Sequence, residues 1–197
     1  MEPFLARQRY RIANKLIRPE LRTGRILDIG CGSWPGFVLA TSFGQKCALD
    51  PALTDEAIRQ LAQDHGIEAA RLDIASAALS RYPAGAFSVI TMLAVAEHLS
   101  QEDLVSVLRD AATLLEDGGV LILTTPARWV DPILRGMARL HLVSPEEIEE
   151  HKTLLTPRDV RTLLEEAGFP REDAKVGTFE FGMNIYARAT KRSQKTS

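Results

Sequence analysis

From residue 25 onward the chain alternates short apolar runs with helical patterns, and this alternation constrains the fold more than any other feature. Residues 25–30 (RILDIG), 46–50 (KCALD), 67–74, 86–93 (AFSVITML) and 120–125 (VLILTT) read as strands, the fourth most clearly because it is rich in β-branched residues. Between them, residues 54–65 predict a helix capped by Thr54 and stopped by Gly66, and 100–116 another, with Ser100 as cap and Asp103 at the third helical position. Asp117-Gly118-Gly119 is expected to end that second helix. Apolar strands separated by helices imply a parallel sheet covered on both faces. The last third differs: Thr156 and Pro157 open a helix that Gly168 stops, and two strand candidates, 174–179 and 181–189, follow with no helix between them. They read as a hairpin, so one strand must run antiparallel. A further helix is expected near 132–140, beside an acidic run at Glu146, Glu147, Glu149 and Glu150. The expectation is an α/β fold with a seven-stranded, mostly parallel sheet, an antiparallel final strand and helices on both faces.

Length favours one domain over residues 1–190 with a disordered tail at 191–197. The net charge of −2 gives the whole molecule no strong attraction to nucleic acid or membrane, and no apolar stretch is long enough for a membrane span. Two cysteines, Cys31 and Cys47, lack metal-ligand spacing and fit a reduced, cytoplasmic location, and the N-terminus lacks the apolar run of a signal peptide. The charge is uneven: residues 1–25 hold seven Lys/Arg against two Glu. Arg7, Arg11, Lys15, Arg18 and Arg22 line one face of a helix. One reading is a solvated basic face; the other is a lid over residues 1–24 that draws in an anionic group, with Arg7 or Arg11 as its contact.

The segment most suggestive of chemistry is Asp28-Ile-Gly30-Cys31-Gly32-Ser-Trp34-Pro35-Gly36, directly after the first strand. Glycines there let backbone approach a ligand, although a tight strand–helix turn also needs them. Asp50 stands twenty residues beyond Gly30, at the end of the second strand, where a carboxylate can accept from both hydroxyls of an adenosine ribose. Asp73, at the end of the third, can accept from an adenine amino group. Three acids at three strand ends face the crevice where open α/β sheets bind ligands. A dinucleotide fits less well, because Pro35 occupies the third glycine position and a pyrophosphate disfavours an acid at Asp28. A sulfonium cofactor with an amino group tolerates acids.

With these residues the chain resembles the class I S-adenosylmethionine-dependent methyltransferases, in the style of the small-molecule enzymes of ubiquinone and menaquinone biosynthesis. The matching segments are Asp28-Ile-Gly-Cys-Gly32, Asp50-Pro51, Asp73-Ile74, the fourth strand with Glu97-His98-Leu99, Leu115-Glu-Asp-Gly-Gly119, the Glu-Ala-Gly-Phe169 helix end and the final hairpin. The resemblance implies a Rossmann-like fold, S-adenosylmethionine as cofactor and a small-molecule methyl acceptor. It assigns Asp28, Gly30, Cys31, Gly32, Asp50, Pro51, Asp73, Ile74 and Leu93 to the cofactor, with Arg11 reaching from the N-terminal helix. His98 is the candidate general base; its alternative is a structural histidine bonded to backbone. His141 and His151 read as surface residues, and Trp34 and Trp129 either wall a pocket or join the core.

Three positions depart from the pattern. Trp34-Pro35 replaces the third close glycine, Ser88 replaces an Asp, and Ala94 stands where some quinone O-methyltransferases carry a metal-holding glutamate. Ala94 argues against a metal at Glu97 and His98. The fourth strand ends in Met92-Leu-Ala-Val rather than an Asp/Asn-Pro-Pro-aromatic motif, and no cysteine is placed for cytosine chemistry, so nucleic acid is not the expected acceptor. Two alternatives remain: a methyltransferase-like protein that works by binding alone, and a nicotinamide-dependent oxidoreductase.

Overall fold

The computed structural model describes residues 2–73, 78–130 and 153–192. The expected helix near 132–140, the acidic run, His141, His151, Ile74 and the tail beyond Arg192 lie outside them. Seven strands form one sheet: β1 (Arg25–Ile29), β2 (Gln45–Leu49), β3 (Ile67–Ala70), β4 (Phe87–Leu93), β5 (Leu115–Pro126), β6 (Ala174–Phe179) and β7 (Asn184–Thr190). Their order is β3-β2-β1-β4-β5-β7-β6. The first five run parallel, and β7 is antiparallel to both of its neighbours. β1 lies between β2 and β4, so chain direction along the sheet reverses there and opens a crevice beyond the carboxyl ends of these strands.

Alternation of side chains along each strand divides the interior into two layers. Ile26, Val89, Val120 and Ile122 pack with Ala13 of α1 (Glu2–Leu16), Ile17 just after it, Phe37 and Val38 of α2 (Gly36–Leu39) and Leu61 of α3 (Asp55–His65). Leu27, Ile90, Leu121 and Leu123 pack on the other face. There they meet Leu104 and Leu108 of α4 (Gln101–Leu114) and Val160 and Leu164 of α5, the helix at Pro157–Glu166. Both faces are covered, which is why the parallel strands read as unbroken apolar runs.

The helix ends follow the sequence. Thr54 accepts from the Ala57 N–H, and Gly66 ends α3 at φ 61°. Ser100 accepts from the Asp103 N–H. At α5 the capping box is complete: the Thr156 hydroxyl accepts from the Asp159 N–H at 3.2 Å, and the Asp159 carboxylate accepts from the Thr156 N–H at 2.8 Å.

Two boundaries depart from expectation. β5 begins at Leu115 rather than residue 120, because its register against β4 slips between the Phe87–Leu115 and Val89–Val120 pairs. Gly118 and Gly119 therefore sit within a bulge of the strand, where the Gly118 N–H donates to the Lys191 carbonyl and the Lys191 N–H to Gly119. β3 ends at Ala70, so Asp73 lies in exposed, irregular chain beyond the strand instead of at its end. Of the expected tail, Lys191 and Arg192 are held: Lys191 donates to the Thr113 and Leu115 carbonyls, and Arg192 pairs with Glu172 and Asp173.

Thr156→Ala removes the side-chain cap of α5 and one of the donors to Asp159, which keeps the residue 156 N–H and Arg128, and should cost about 1 kcal/mol. Urea denaturation should show a lower midpoint with an unchanged slope; an unaltered midpoint would mean that packing alone fixes this helix end.

Candidate functional site

The crevice is built by the turns that leave β1, β2 and β4. The N–H groups of Gly30 and Cys31 both donate to the Leu49 carbonyl, at 2.8 and 3.3 Å, which ties the glycine loop to the end of β2. Gly30 and Gly32 share φ 74°, a conformation that disfavours side chains, yet their surroundings differ. A Cβ on Gly30 would lie 2.3 Å from Val95 Cγ2, whereas one on Gly32 would meet nothing within 4 Å. Gly30 thus makes room for the chain leaving β4, and Gly32 opens onto the cradle a ligand could fill.

Asp50 is buried at the mouth of this cradle. One carboxylate oxygen accepts from the Gly32 N–H and the other from the Ala52 N–H, both at 2.7 Å. An ionised carboxylate has about four acceptor directions, so two remain for a diol. Pro51 is exposed beside it. Asp50 therefore also braces the loop that it faces.

Asp28 is also buried, and Thr91 of β4 donates to its Oδ1 at 2.6 Å. Burial pushes its carboxyl up to about 7; the Thr91 hydrogen bond opposes this and the Asp50 charge adds to it. Burial raises the half-buried Cys31 thiol as well, with Asp28 and Asp50 adding to the effect, so it is no nucleophile at neutral pH.

The chain leaves β4 through Ala94, whose φ of 61° is strained for a residue with a Cβ. The Ala94 N–H donates to the Thr124 carbonyl, and the strain turns Val95 down onto Gly30. Ala96–His98 then form a 3-10 turn. Leu93 and His98 are half-buried, while Glu97 is buried, with Oε2 accepting from the Thr125 hydroxyl at 3.1 Å. Burial pushes the Glu97 carboxyl up; a backbone hydrogen bond, His98, Arg9 and Thr125 act against it.

Thr91 and Arg9 did not stand out in sequence, and Glu97 did so only within the Glu97-His98-Leu99 segment. Arg7, Arg11 and Lys15 are exposed along the outer side of α1. Arg9, two residues off that stripe and so about 200° around the helix, is half-buried, and its charge favours the ionised form of Glu97. Tyr10 packs against Phe37 at 5.5 Å, and its hydroxyl would lie 2.6 Å from any Cβ on Gly36. The glycine that arrives one position late for a dinucleotide fingerprint seats the N-terminal helix. Trp34 and Trp129 belong to neither core layer: Trp34 stands edge-on to His65, and Trp129 donates to the Gly182 carbonyl at 3.0 Å. Among the described residues, no cluster of His, Cys, Asp and Glu could hold a metal ion. A cleft of about 720 Å³ lined in part by Arg109, Gly168 and Phe169 lies away from the crevice, at the other end of β5.

A family model described as a methyltransferase domain matches residues 2–171. The chain belongs to that family. Its glycine loop, Asp50 and the turn after β4 all fall within the matched region, and the expected S-adenosylmethionine-dependent methyltransferase is borne out. A ubiquinone biosynthesis O-methyltransferase from Xanthomonas euvesicatoria pv. vesicatoria is 27% identical over 98% of this chain and 82% of that protein. Among solved structures, an S-adenosylmethionine-dependent methyltransferase from Archaeoglobus fulgidus superposes with a TM-score of 0.67 at 16% identity, over 95% of this chain and 94% of that one. A possible exported protein from Bordetella parapertussis gives 0.71 at 20% identity, over 95% and 68%. These superpositions agree with the Rossmann-like seven-stranded sheet.

The two glycines separate experimentally. Gly30→Ala should destabilise the fold by about 2–4 kcal/mol, combining overpacking against Val95 with backbone strain. Gly32→Ala should cost only about 1–2 kcal/mol, from strain alone. Equal costs in urea denaturation would contradict the assignment.

Asp28 gives a pH prediction. Its carboxyl titrates near 7 in the fold and about 3.9 unfolded. Between these values the folded chain holds the extra proton, so this group's stabilisation is lost as pH rises from about 4 to 7. Asp28→Asn should raise the thermal midpoint at pH 8, by on the order of 1–3 kcal/mol of stability, and give little gain near pH 4. A variant less stable than wild type at pH 8 would contradict this.

Proposed function

We propose that this methyltransferase moves a methyl group from S-adenosylmethionine to a small-molecule acceptor in the crevice beyond β1, β2 and β4, with α1 as its cover. The observation that carries the reading is the pairing of the open cradle at Gly32 with the braced carboxylate of Asp50. That pair fits an adenosine: Asp50 has acceptor directions left for two ribose hydroxyls, and Gly32 presents no side chain to the ligand. Gly30, Cys31, Pro51 and Leu93 would flank the cofactor. Asp73, exposed beyond β3, would meet the adenine, and Ile74 with it. Asp28 lies where it can answer the cofactor's amino group. Arg11 is exposed on α1 and would reach the cofactor carboxylate only from that outer position.

When bound, the cofactor supplies an electrophilic methyl on a positively charged sulfur. The chain's contribution is alignment and exclusion of water, holding the reacting atoms about 3–3.5 Å apart. α1, seated by Tyr10 on Gly36, closes one side of the crevice. The turn bearing Glu97 and His98 forms the acceptor side, with His98 as a candidate general base. The relatives' name, ubiquinone biosynthesis O-methyltransferase, favours an oxygen acceptor. The antiparallel β7 and the use of Gly36 for α1 speak against the dinucleotide alternative. No helix among the described residues is long and apolar enough to cross a membrane. Both cysteines are free, which fits the reduced, cytoplasmic location proposed here.

Calorimetry with S-adenosylhomocysteine tests the reading. Hydrogen bonds to a charged group contribute about 1.5–3 kcal/mol each, so Asp50→Ala should weaken binding at least about tenfold. Because Asp50 also braces Gly32, the variant's fold is checked by circular dichroism alongside. Unchanged affinity in a folded variant would place the adenosine elsewhere. Nicotinamide dinucleotide binding in its stead would favour the oxidoreductase.

A further inference from the structure

The outer face of α5 carries a basic hollow that the methyl-transfer reading leaves unused. Val160, Leu163 and Leu164 turn one side of this helix into the core. Arg158, Arg161, Thr162 and Glu165 fall at helical spacings that gather them on the opposite side. A second element closes the hollow. Gly168, at φ 96°, reverses the chain after α5; its N–H donates to the Glu165 carbonyl, and that of Phe169 to the Leu164 carbonyl. Phe169 is buried, which fixes the 3-10 turn Arg171–Asp173 beside the helix. Arg171 and the outer side chains of α5 line a hollow of about 400 Å³. Arg158 and Arg171 are exposed and Arg161 is half-buried, so the hollow opens to solvent.

Its charge is not balanced from within. Glu165 is the acid among the lining residues, and it pairs with Arg171 at 3.6 Å. Among the described residues, Arg158 and Arg161 have no carboxylate within ion-pair distance; the Arg158 charge reaches Asp159 only at longer range. Like charges at this helical spacing oppose each other, and a third guanidinium arrives from another element. Three guanidinium groups against one carboxylate leave a net charge of about +2 at neutral pH. A phosphomonoester carries about −1.5 to −2 there, which balances it. Planar guanidinium forks match phosphate oxygens in pairs, and Thr162 adds a hydroxyl donor.

We propose that this hollow binds a phosphomonoester group, with Arg158 and Arg161 as its main contacts and Arg171 completing the charge. The site is separate from the crevice and does not depend on the methyl-transfer reading. Selectivity follows from the charge count: a carboxylate or a phosphodiester brings a single negative charge and leaves the arginines in part unanswered. A soluble metabolite and a lipid headgroup can both present the dianion.

The test is a calorimetric titration with phenyl phosphate at fixed ionic strength, on wild type, R158Q/R161Q and R171Q, each checked for fold by circular dichroism. Wild type should saturate with a dissociation constant below about 10 mM, and dimethyl phosphate, a diester, should bind at least about tenfold more weakly. R158Q/R161Q should also lose at least about tenfold, and R171Q less. Between about pH 7 and 5 the wild-type affinity should fall, because the ester loses its second charge near pH 6 while the arginines stay charged. Flotation with phosphatidylcholine vesicles, with and without phosphatidic acid, separates the sources. Capture by phosphatidic acid alone, lost in R158Q/R161Q, assigns a lipid headgroup; phenyl phosphate binding without capture assigns a soluble metabolite. A wild type that binds neither probe would overturn the proposal. So would diester binding as tight as monoester, an affinity that does not fall toward pH 5, or binding that survives in folded R158Q/R161Q.

Discussion

The crevice depends on one close contact, that of Val95 against the bare Cα of Gly30. It locks the turn leaving β1 to the turn leaving β4, the two central strands on either side of the point where the sheet reverses direction. The contact needs a glycine in a left-handed conformation on one side and the strained backbone of Ala94 on the other. Strain of this kind persists only where surrounding structure over-determines it, and it concentrates at functional sites. From this junction the site divides. The glycine loop runs on to Gly32 and Asp50, the side proposed for the cofactor. The other turn runs on to Glu97 and His98, the side proposed for the acceptor.

The electrostatics follow from packing acids into this junction. Asp28, Asp50 and Glu97 are all buried, and each is answered by a neutral donor: Thr91 for Asp28, backbone N–H groups for Asp50 and Thr125 for Glu97. Neutral donors offset burial only in part, and the carboxyls of Asp28 and Glu97 are raised accordingly. Such a site is short of positive charge. A ligand bringing a sulfonium and an ammonium supplies it on one side, and α1 supplies Arg9 on the other. Arg9 is the basic residue of α1 that leaves its solvated stripe.

The sheet was legible because its interior strands are buried on both faces, and chain so placed must be apolar throughout; β1, β4 and β5 read that way directly. The caps at Thr54, Ser100 and Thr156 were legible because an orphaned helix N–H needs a nearby oxygen, a local requirement that leaves a local pattern. The start of β5 was not, since Gly118 and Gly119 suit a helix stop and a strand bulge equally, and only pairing with β4 decides. Asp50 was found, yet its bond to Gly32 was not, because a carboxylate's second role depends on where a distant loop closes. Glu97 was legible only as part of the Glu97-His98-Leu99 segment, and Arg9 not at all, because the burial of each depends on distant elements. His98 drew attention because its chemistry is visible in one letter, whereas the burial that changes Glu97 is a property of the fold.

A crystal structure of the complex with S-adenosylhomocysteine tests the central claim most directly. The account predicts the ribose hydroxyls on the Asp50 carboxylate, the ligand backbone over Gly32 with no rearrangement of the Gly30–Val95 contact, and the sulfur facing the turn that carries Glu97 and His98. A nucleoside bound away from the carboxyl end of β2, with Asp50 holding only its backbone partners, would contradict it.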